Sequence, residues 1–293
     1  MPELPEVETI ARDLRRGLVG LTIKDFKVVN ERTRRARPFL NLGENEFRRA
    51  LVGRIVKQIN RRAKMLIFEL SGDKYLLAHL KMTGQLILKR PRGRLVVGGH
   101  QITGVGLALP NKFTRAQLGF SDGSRLYFND IRRFGWLKIF DKTGLDKELS
   151  SLGPEPLEKK FTVVSLGEIL RRKARTTVKQ AIMDQKQLVG VGNIYADESL
   201  FAARIKPQRL AGSLKGMEID RLHRAIGEIL KLSIANRGTS FSDYRDGHGH
   251  QGNFVKLLKV YGRAGEPCPV CGRQIKKMTL GGRGTHWCAH CQR

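Results

Sequence analysis

Near the C-terminus, Cys268 and Cys271 form one Cys-x2-Cys pair and Cys288 and Cys291 form a second, with sixteen residues between them. No other feature of the chain restricts its local fold so tightly. Two thiolates two residues apart reach a single ion from one tight turn, and a second such turn completes a tetrahedral set. The alternative of two disulfides belongs to an oxidising compartment. The chain opens Met1-Pro2-Glu3-Leu4-Pro5-Glu6, acidic where a secretory leader is basic. His286 and His290 are rival ligands by position, but four thiolates close the shell and leave no open coordination site. The expected occupant is therefore one structural Zn2+ per chain, and the metal supplies much of the folding free energy of so small a module.

Charge sets the class of partner. The 293 residues carry 55 Lys and Arg against 27 Asp and Glu, a net charge of +28. Phosphate backbones bind such a chain by releasing condensed counterions. No apolar run approaches the roughly 20 residues of a membrane-spanning helix. These features together predict a cytoplasmic protein that meets nucleic acid, with no membrane partner. Residues 31–64 hold eleven Lys and Arg and three acids, which suits a track along phosphates.

Periodicity divides the rest. Val7, Ile10, Ala11, Leu14 and Leu18 share one face of a helix over 5–18, with Pro5 in its first turn. From about 54 to 140 the pattern is that of strands. Residues 65–70 and 75–80 flank Ser71-Gly72-Asp73, and 117–120 and 125–128 flank Ser121-Asp122-Gly123-Ser124, so both read as hairpins. Residues 90–112, rich in Gly and Pro, read as a long loop or insertion. After a linker at 152–156, helical spacing covers 162–172, 178–184, 193–203 and 218–236. Gly190-Val191-Gly192 precedes Asn193, an expected N-cap at a helix start suited to an anion. Residues 252–293 read as a β-rich ribbon with Arg283 in a Gly281-Gly282-Arg283-Gly284 turn.

Four separated motifs, in order, carry a family resemblance: Met1-Pro2-Glu3-Leu4-Pro5-Glu6-Val7-Glu8-Thr9, Arg62-Ala63-Lys64, Gly190-Val191-Gly192-Asn193-Ile194-Tyr195-Ala196 and Val260-Tyr261-Gly262-Arg263 through Cys268. The chain resembles the bacterial formamidopyrimidine-DNA glycosylases over nearly its whole length. Residues 90–112 depart from the common pattern. Where the family has a Lys-His-Asp-His run, this chain reads Lys112-Phe113-Thr114-Arg115, so a contact through the first histidine does not carry over. The resemblance implies an α+β fold with three parts: an N-terminal β-sandwich catalytic domain (1–140), a helix–two-turns–helix domain (141–251) and a C-terminal zinc ribbon (252–293). It implies a monomer acting on damaged double-stranded DNA at the bacterial nucleoid.

The implied chemistry is excision of oxidised purines, 8-oxoguanine and formamidopyrimidines, followed by strand cleavage. Pro2, exposed once Met1 is removed, is then the amine nucleophile that forms a Schiff base at C1′. An α-amino group has an ordinary pKa of roughly 8, against roughly 10.4 for lysine. A helix N-terminus and a nearby Lys64 favour its neutral form. Glu3 corresponds to the acid–base carboxylate, Lys64 to a contact with phosphate and lesion, and Arg283 to the donor in δ-elimination and a DNA contact. Met82, Arg132 and Phe134 correspond to side chains that fill the gap left by the flipped nucleotide. Asn193 corresponds to a phosphate ligand and Lys179 to a contact near the lesion. His248 and His250 fall where the family has a loop over the extruded base, and carry no assigned role. A sister type with a preference for oxidised pyrimidines is disfavoured by Leu4 and the Met82, Arg132 and Phe134 set. A silent DNA-binding protein on the same scaffold is disfavoured by Pro2, Glu3 and Lys64.

Overall fold

The structure is a computed structural model that describes residues 1–29, 39–91, 96–100, 108–239, 244–245 and 253–293. Part of the basic 31–64 stretch and both His248 and His250 lie outside these residues. The chain divides into two compact units, Met1–Ser150 with Asn236–Asn253, and Ser151–Ala235 with Phe254–Arg293.

The first unit is built around helix α1 (Leu4–Leu18). Glu3 and Glu6 form a reciprocal capping box at its start, and Pro5 lies in the first turn, where a missing N–H costs nothing. Val7, Ile10, Ala11, Leu14 and Leu18 are buried, as the period predicts. They join a single core with side chains from two antiparallel sheets. One sheet runs β1-β7-β8-β5-β6-β10 and the other β2-β3-β4-β9. The strands are β1 (Ile23–Val28), β2 (Val56–Arg62), β3 (Met65–Leu70), β4 (Lys74–His79), β5 (Gly84–Lys89), β6 (Val96–His100), β7 (Thr114–Phe120), β8 (Arg125–Asp130), β9 (Trp136–Phe140) and β10 (Tyr244–Arg245). Both expected hairpins form, β3 with β4 and β7 with β8.

Three elements depart from the sequence reading. Helix α2 (Glu44–Leu51) forms inside the basic stretch and buries Phe47 and Leu51, one helical turn apart. Helix α3 (Lys142–Leu149) starts at Asp141, whose carboxylate accepts from the Gly144 N–H at 2.8 Å. Strand β6 occupies part of the 90–112 segment expected to be a loop. Its glycines are packing requirements rather than turn signals. A Cβ on Gly98 would come within 2.7 Å of Ile10 of α1, and one on Gly99 within 2.4 Å of the Gly84 carbonyl, at a φ of +113°.

The second unit is helical. Helices α4 (Val163–Arg172), α5 (Val178–Met183), α6 (Asn193–Ala202) and α7 (Gly216–Ala235) precede the hairpin of β11 (Lys276–Leu280) and β12 (Arg283–Trp287). Helix α6 is buried from Tyr195 to Phe201, on all faces, as a central helix must be. Its Tyr195 hydroxyl lies 2.6 Å from Ser233 of α7. Glu198 accepts the backbone N–H groups of Lys259, Val260 and Tyr261, which fixes the start of the ribbon on the same helix.

If the β6 glycines are there for the close approach of neighbouring backbone, Gly99→Ala costs about 1–3 kcal/mol, the range for a non-glycine forced into such a conformation. Urea unfolding checks this: the midpoint of the first unit should fall with an unchanged slope.

Candidate functional site

In the first unit the functional residues gather on the ends of secondary elements. Met1 is 47% exposed, while Pro2 and Glu3 behind it are buried. The Glu6 carboxylate secures this terminus. One oxygen accepts the Glu3 N–H at 2.9 Å, and the other accepts the N–H and hydroxyl of Thr239 at 2.8 and 3.2 Å. Lys64 sits in the two-residue turn joining β2 and β3, where Ala63 takes a φ of +55° and Arg62 pairs with Met65. Strand β2 runs alongside α1 in the opposite sense. Arg15 donates to the Ile59 carbonyl at 2.6 Å, and Arg61 lies 3.1 Å from Glu8 and donates to the Ala63 carbonyl at 3.1 Å. These links bring the Lys64 turn to the N-terminal end of α1.

Lys64 itself is 5% exposed, unusually buried for a lysine. His79 shares its surroundings. Burial, with Lys81 and Lys64 close by, pushes the His79 imidazole down to about 3, so the ring is neutral at physiological pH. Its Nδ1 accepts the Lys81 N–H at 3.0 Å, which leaves the ring proton on Nε2. The sequence reading passed over His79. Nothing in the pattern distinguishes it from any strand-end residue.

Two tight turns present the three expected gap-filling side chains. Met82 lies in the β4–β5 turn beside Lys81, which has a φ of +51°. Arg132 and Phe134 flank Arg133, with a φ of +58°, between β8 and β9. Met82 is 36% and Phe134 41% exposed, far more than core methionine or phenylalanine. The Arg132 guanidinium stacks 4.7 Å above the Phe134 ring, so these two act as one amphipathic group.

In the second unit, Asn193, Lys179 and Arg283 converge on the β11–β12 hairpin. Gly281 and Gly282 form its two-residue turn, both with positive φ, and Arg283 projects at the exposed tip. Gly192, not Asn193, is the N-cap of α6. The Asn193 amide instead donates to the Gly284 carbonyl at 2.9 Å and to the Tyr261 hydroxyl at 3.3 Å. Lys179 is 1% exposed. Its ammonium is satisfied by Asp197 at 2.6 Å, Thr285 at 2.8 Å and the Gly284 carbonyl at 3.2 Å. Asp197 also accepts the His286 N–H at 2.8 Å. In this arrangement Lys179 and Asn193 hold the base of the hairpin that carries Arg283. Lys179, expected near the lesion, is here buried against the hairpin.

The four cysteine sulfurs lie within 4.8 Å of one another. Two of the separations, Cys268 to Cys291 and Cys271 to Cys288, are 3.9 and 3.5 Å. Tetrahedral Zn–S bonds of about 2.3 Å require an S···S edge of about 3.8 Å, so this set fits zinc. Burial and the neighbouring thiols push the Cys291 thiol up, and a cation that displaces the protons relieves that crowding. The Cys288 turn is braced by Gln292, which accepts the Cys288 N–H and donates to the Ile205 carbonyl, both at 2.8 Å. His286 is turned toward Asp197, and neither His286 nor His290 joins the metal cluster among the described residues.

Comparison with known proteins accounts for this arrangement. Residues 1–137 match the model of the formamidopyrimidine-DNA glycosylase N-terminal domain, 152–245 its H2TH domain, and 265–293 the zinc finger found in FPG and IleRS. The formamidopyrimidine-DNA glycosylase of Pelotomaculum thermopropionicum is 40% identical over all of this chain and 99% of its own length. The chain belongs to the formamidopyrimidine-DNA glycosylase family. Among solved structures, the MutM (Fpg) protein of Thermus thermophilus is 37% identical with a TM-score of 0.82, covering 99% of this chain and 98% of that one. The Lactococcus lactis Fpg in complex with abasic-site DNA is 32% identical with a TM-score of 0.85, covering 99% of both chains.

The α+β fold with an N-terminal β-sandwich, helix–two-turns–helix domain and zinc ribbon is thus the family fold. Zinc fits as its resident metal, held by Cys268, Cys271, Cys288 and Cys291. Metal analysis should return one zinc per chain. Cys271→Ser should abolish DNA binding in a gel-shift assay while far-UV circular dichroism keeps the signal of the first unit. Full binding by that variant would show the ribbon to be dispensable.

Proposed function

We propose that this protein is a bifunctional DNA glycosylase and AP lyase that removes oxidised purines, 8-oxoguanine and formamidopyrimidines, from duplex DNA in base excision repair. The observation that carries the proposal is the buried Pro2 at the capped start of α1, next to an exposed Met1 and joined there by the Lys64 turn. Names of relatives support it. The Lactococcus lactis protein has been crystallised with DNA containing Fapy-dG and with DNA containing an abasic site. The working form is a monomer at the bacterial nucleoid, in the cytoplasm, and the work is divided among residues 1–140, 141–251 and 252–293. Among the described residues no helix is long and apolar enough to cross a membrane.

Removal of Met1 frees the secondary amine of Pro2. Its lone pair attacks C1′ of the flipped nucleotide, the glycosidic bond breaks with its electron pair leaving on the purine, and the proton that the Pro2 nitrogen then sheds balances the one the purine takes up. Glu3 protonates the sugar ring oxygen as the C1′–O4′ bond opens, giving an iminium between Pro2 and C1′. The iminium acidifies the 2′ hydrogen. Loss of that proton expels the 3′ phosphate, and a second proton loss expels the 5′ phosphate, with Arg283 as proton donor in the second step. Hydrolysis then regenerates Pro2. Lys64 binds phosphate and orients the lesion. Met82, Arg132 and Phe134 fill the vacated stack, costing less than an empty gap. Asn193 binds phosphate, and Lys179 contacts the DNA near the lesion. Bound zinc supplies rigidity to the ribbon and takes no part in the reaction.

Borohydride reduction of the iminium tests the nucleophile. Processed protein should be trapped on 8-oxoguanine duplex, and protein retaining Met1 should not; equal trapping of both forms rules out Pro2. Glu3→Gln should lose base excision far more than cleavage at a preformed abasic site.

The gap-filling trio is tested by the base opposite the lesion. An arginine in the gap can hydrogen-bond the O2 and N3 acceptors of the orphaned cytosine, whereas adenine presents a different edge. Arg132→Ala should narrow the preference for cytosine over adenine by roughly tenfold, the lower end of a lost bidentate contact. Met82→Ala should lower excision opposite every base. An opposite-base preference unchanged in Arg132→Ala removes Arg132 from the role of reader.

A further inference from the structure

Met82 and the Arg132–Phe134 pair stand on separate turns, yet one buried carboxylate joins them. Asp130, the last residue of β8, is 1% exposed. Its Oδ1 accepts the Thr83 hydroxyl at 2.5 Å and the Arg132 N–H at 3.2 Å, and its Oδ2 accepts the Gly135 N–H at 2.7 Å. Thr83, next to Met82 and itself buried, also accepts the Arg132 N–H, at 3.0 Å. The loop after β8 is therefore clamped at both ends, Arg132 and Gly135, to Asp130, which in turn accepts from Thr83, the residue that follows Met82. Gly135 cannot be replaced cheaply, because a Cβ there would meet the Phe128 ring at 2.6 Å.

A lone buried carboxylate is costly, and the fold brings it a counter-charge. Arg115 lies at the bulge where β7 slips its register against β8, between Thr114 and Ala116. A bulge turns one side chain out of the regular alternation. The Arg115 side chain is 1% exposed and stacks 4.6 Å above the Phe39 ring, and among the described residues none of its three nitrogens has a hydrogen-bond acceptor. Burial lowers its proton affinity to about 10, and the Asp130 charge opposes that fall.

We infer that Asp130 and Thr83 form a latch that makes the Met82 turn and the Arg132–Phe134 loop move as one body. Asp130 and Thr83 are positioning residues: they touch neither DNA nor the reacting atoms. The inference rests on the proposed gap-filling role of Met82, Arg132 and Phe134. Its physical content is that plug and reader enter the stack in a single step, so that neither is inserted without the other.

Two substitutions test it in the processed, zinc-loaded full chain, Asp130→Asn and the isosteric Thr83→Val. Amide hydrogen exchange over residues 131–135 should quicken by at least about tenfold in Asp130→Asn, since hydrogen bonds to an ionised acceptor are lost. Exchange as slow as in the parent overturns the latch, whatever the DNA results. Excision of 8-oxoguanine from duplex should fall by about tenfold in Asp130→Asn and in the same direction in Thr83→Val, with a narrowed opposite-base preference. Borohydride trapping at an abasic site in single-stranded DNA should stay near the parent level, because no base pair has to be opened. An equal loss in both DNA assays means general damage to the fold and overturns the positioning role, as does faster exchange with undiminished duplex excision. Failure of the underlying gap-filling reading is seen separately, as Met82→Ala and Arg132→Ala variants with parental duplex excision.

Discussion

Burial of the N-terminal helix is the constraint on which the first unit depends. Leu4, Val7, Ile10, Leu14 and Leu18 each lose essentially all contact with water, worth about 1.5–3 kcal/mol apiece. A helix at a chain terminus is ordinarily the first element to fray. Here it lies in the common core of both sheets, and its start is held by the Glu6 carboxylate. The same burial that stabilises the unit therefore fixes the second residue of the chain. A nucleophile on a mobile terminus would lose the advantage of orientation, which can account for a large share of a catalytic barrier.

The second unit applies a similar principle to the zinc ribbon. Arg283 stands at an exposed hairpin tip, where a long side chain on two glycines would ordinarily be loose. The hairpin base is gripped by Lys179, Asn193 and Asp197 from two helices, and the Cys288 turn by Gln292. The buried Lys179–Asp197 pair is fully hydrogen-bonded on the lysine side, the condition under which a buried ion pair is tolerable. Breaking it by removing one partner strands the other charge, so a variant at Lys179 would disturb the placement of Arg283. Zinc fixes the far end of the same hairpin, and the exposed tip extends just beyond the residues that the helices grip.

Much of this was legible in one dimension because the signals are local. The 3.6-residue period of α1, the turn residues of both hairpins and the two Cys-x2-Cys pairs each reflect interactions between residues a few positions apart. Strand β6 was not legible. Gly98 and Gly99 read as a loop, but they are small because Ile10 and Gly84, remote in sequence, lie against them. Asn193 was expected to cap its helix, and a neighbouring glycine took that place while its amide turned to the ribbon 91 residues away. Helix α2 was hidden by arginines that dominate the composition around Phe47 and Leu51.

The sequence by itself determined the chemistry available: a proline next to the first methionine, a following carboxylate, four thiolates at metal-binding spacing and a net charge of +28. Those are properties of residue type and short spacing, and they survive any fold in which the neighbours stay neighbours. Only the tertiary structure decided which groups work together. It neutralised His79 beside Lys64, withdrew Lys179 from the surface, and joined the Met82 turn to the Arg132 loop through Asp130, a contact across 47 residues of chain. The reason is physical: burial and charge pairing depend on distance through space, which residue spacing along an extended chain does not encode.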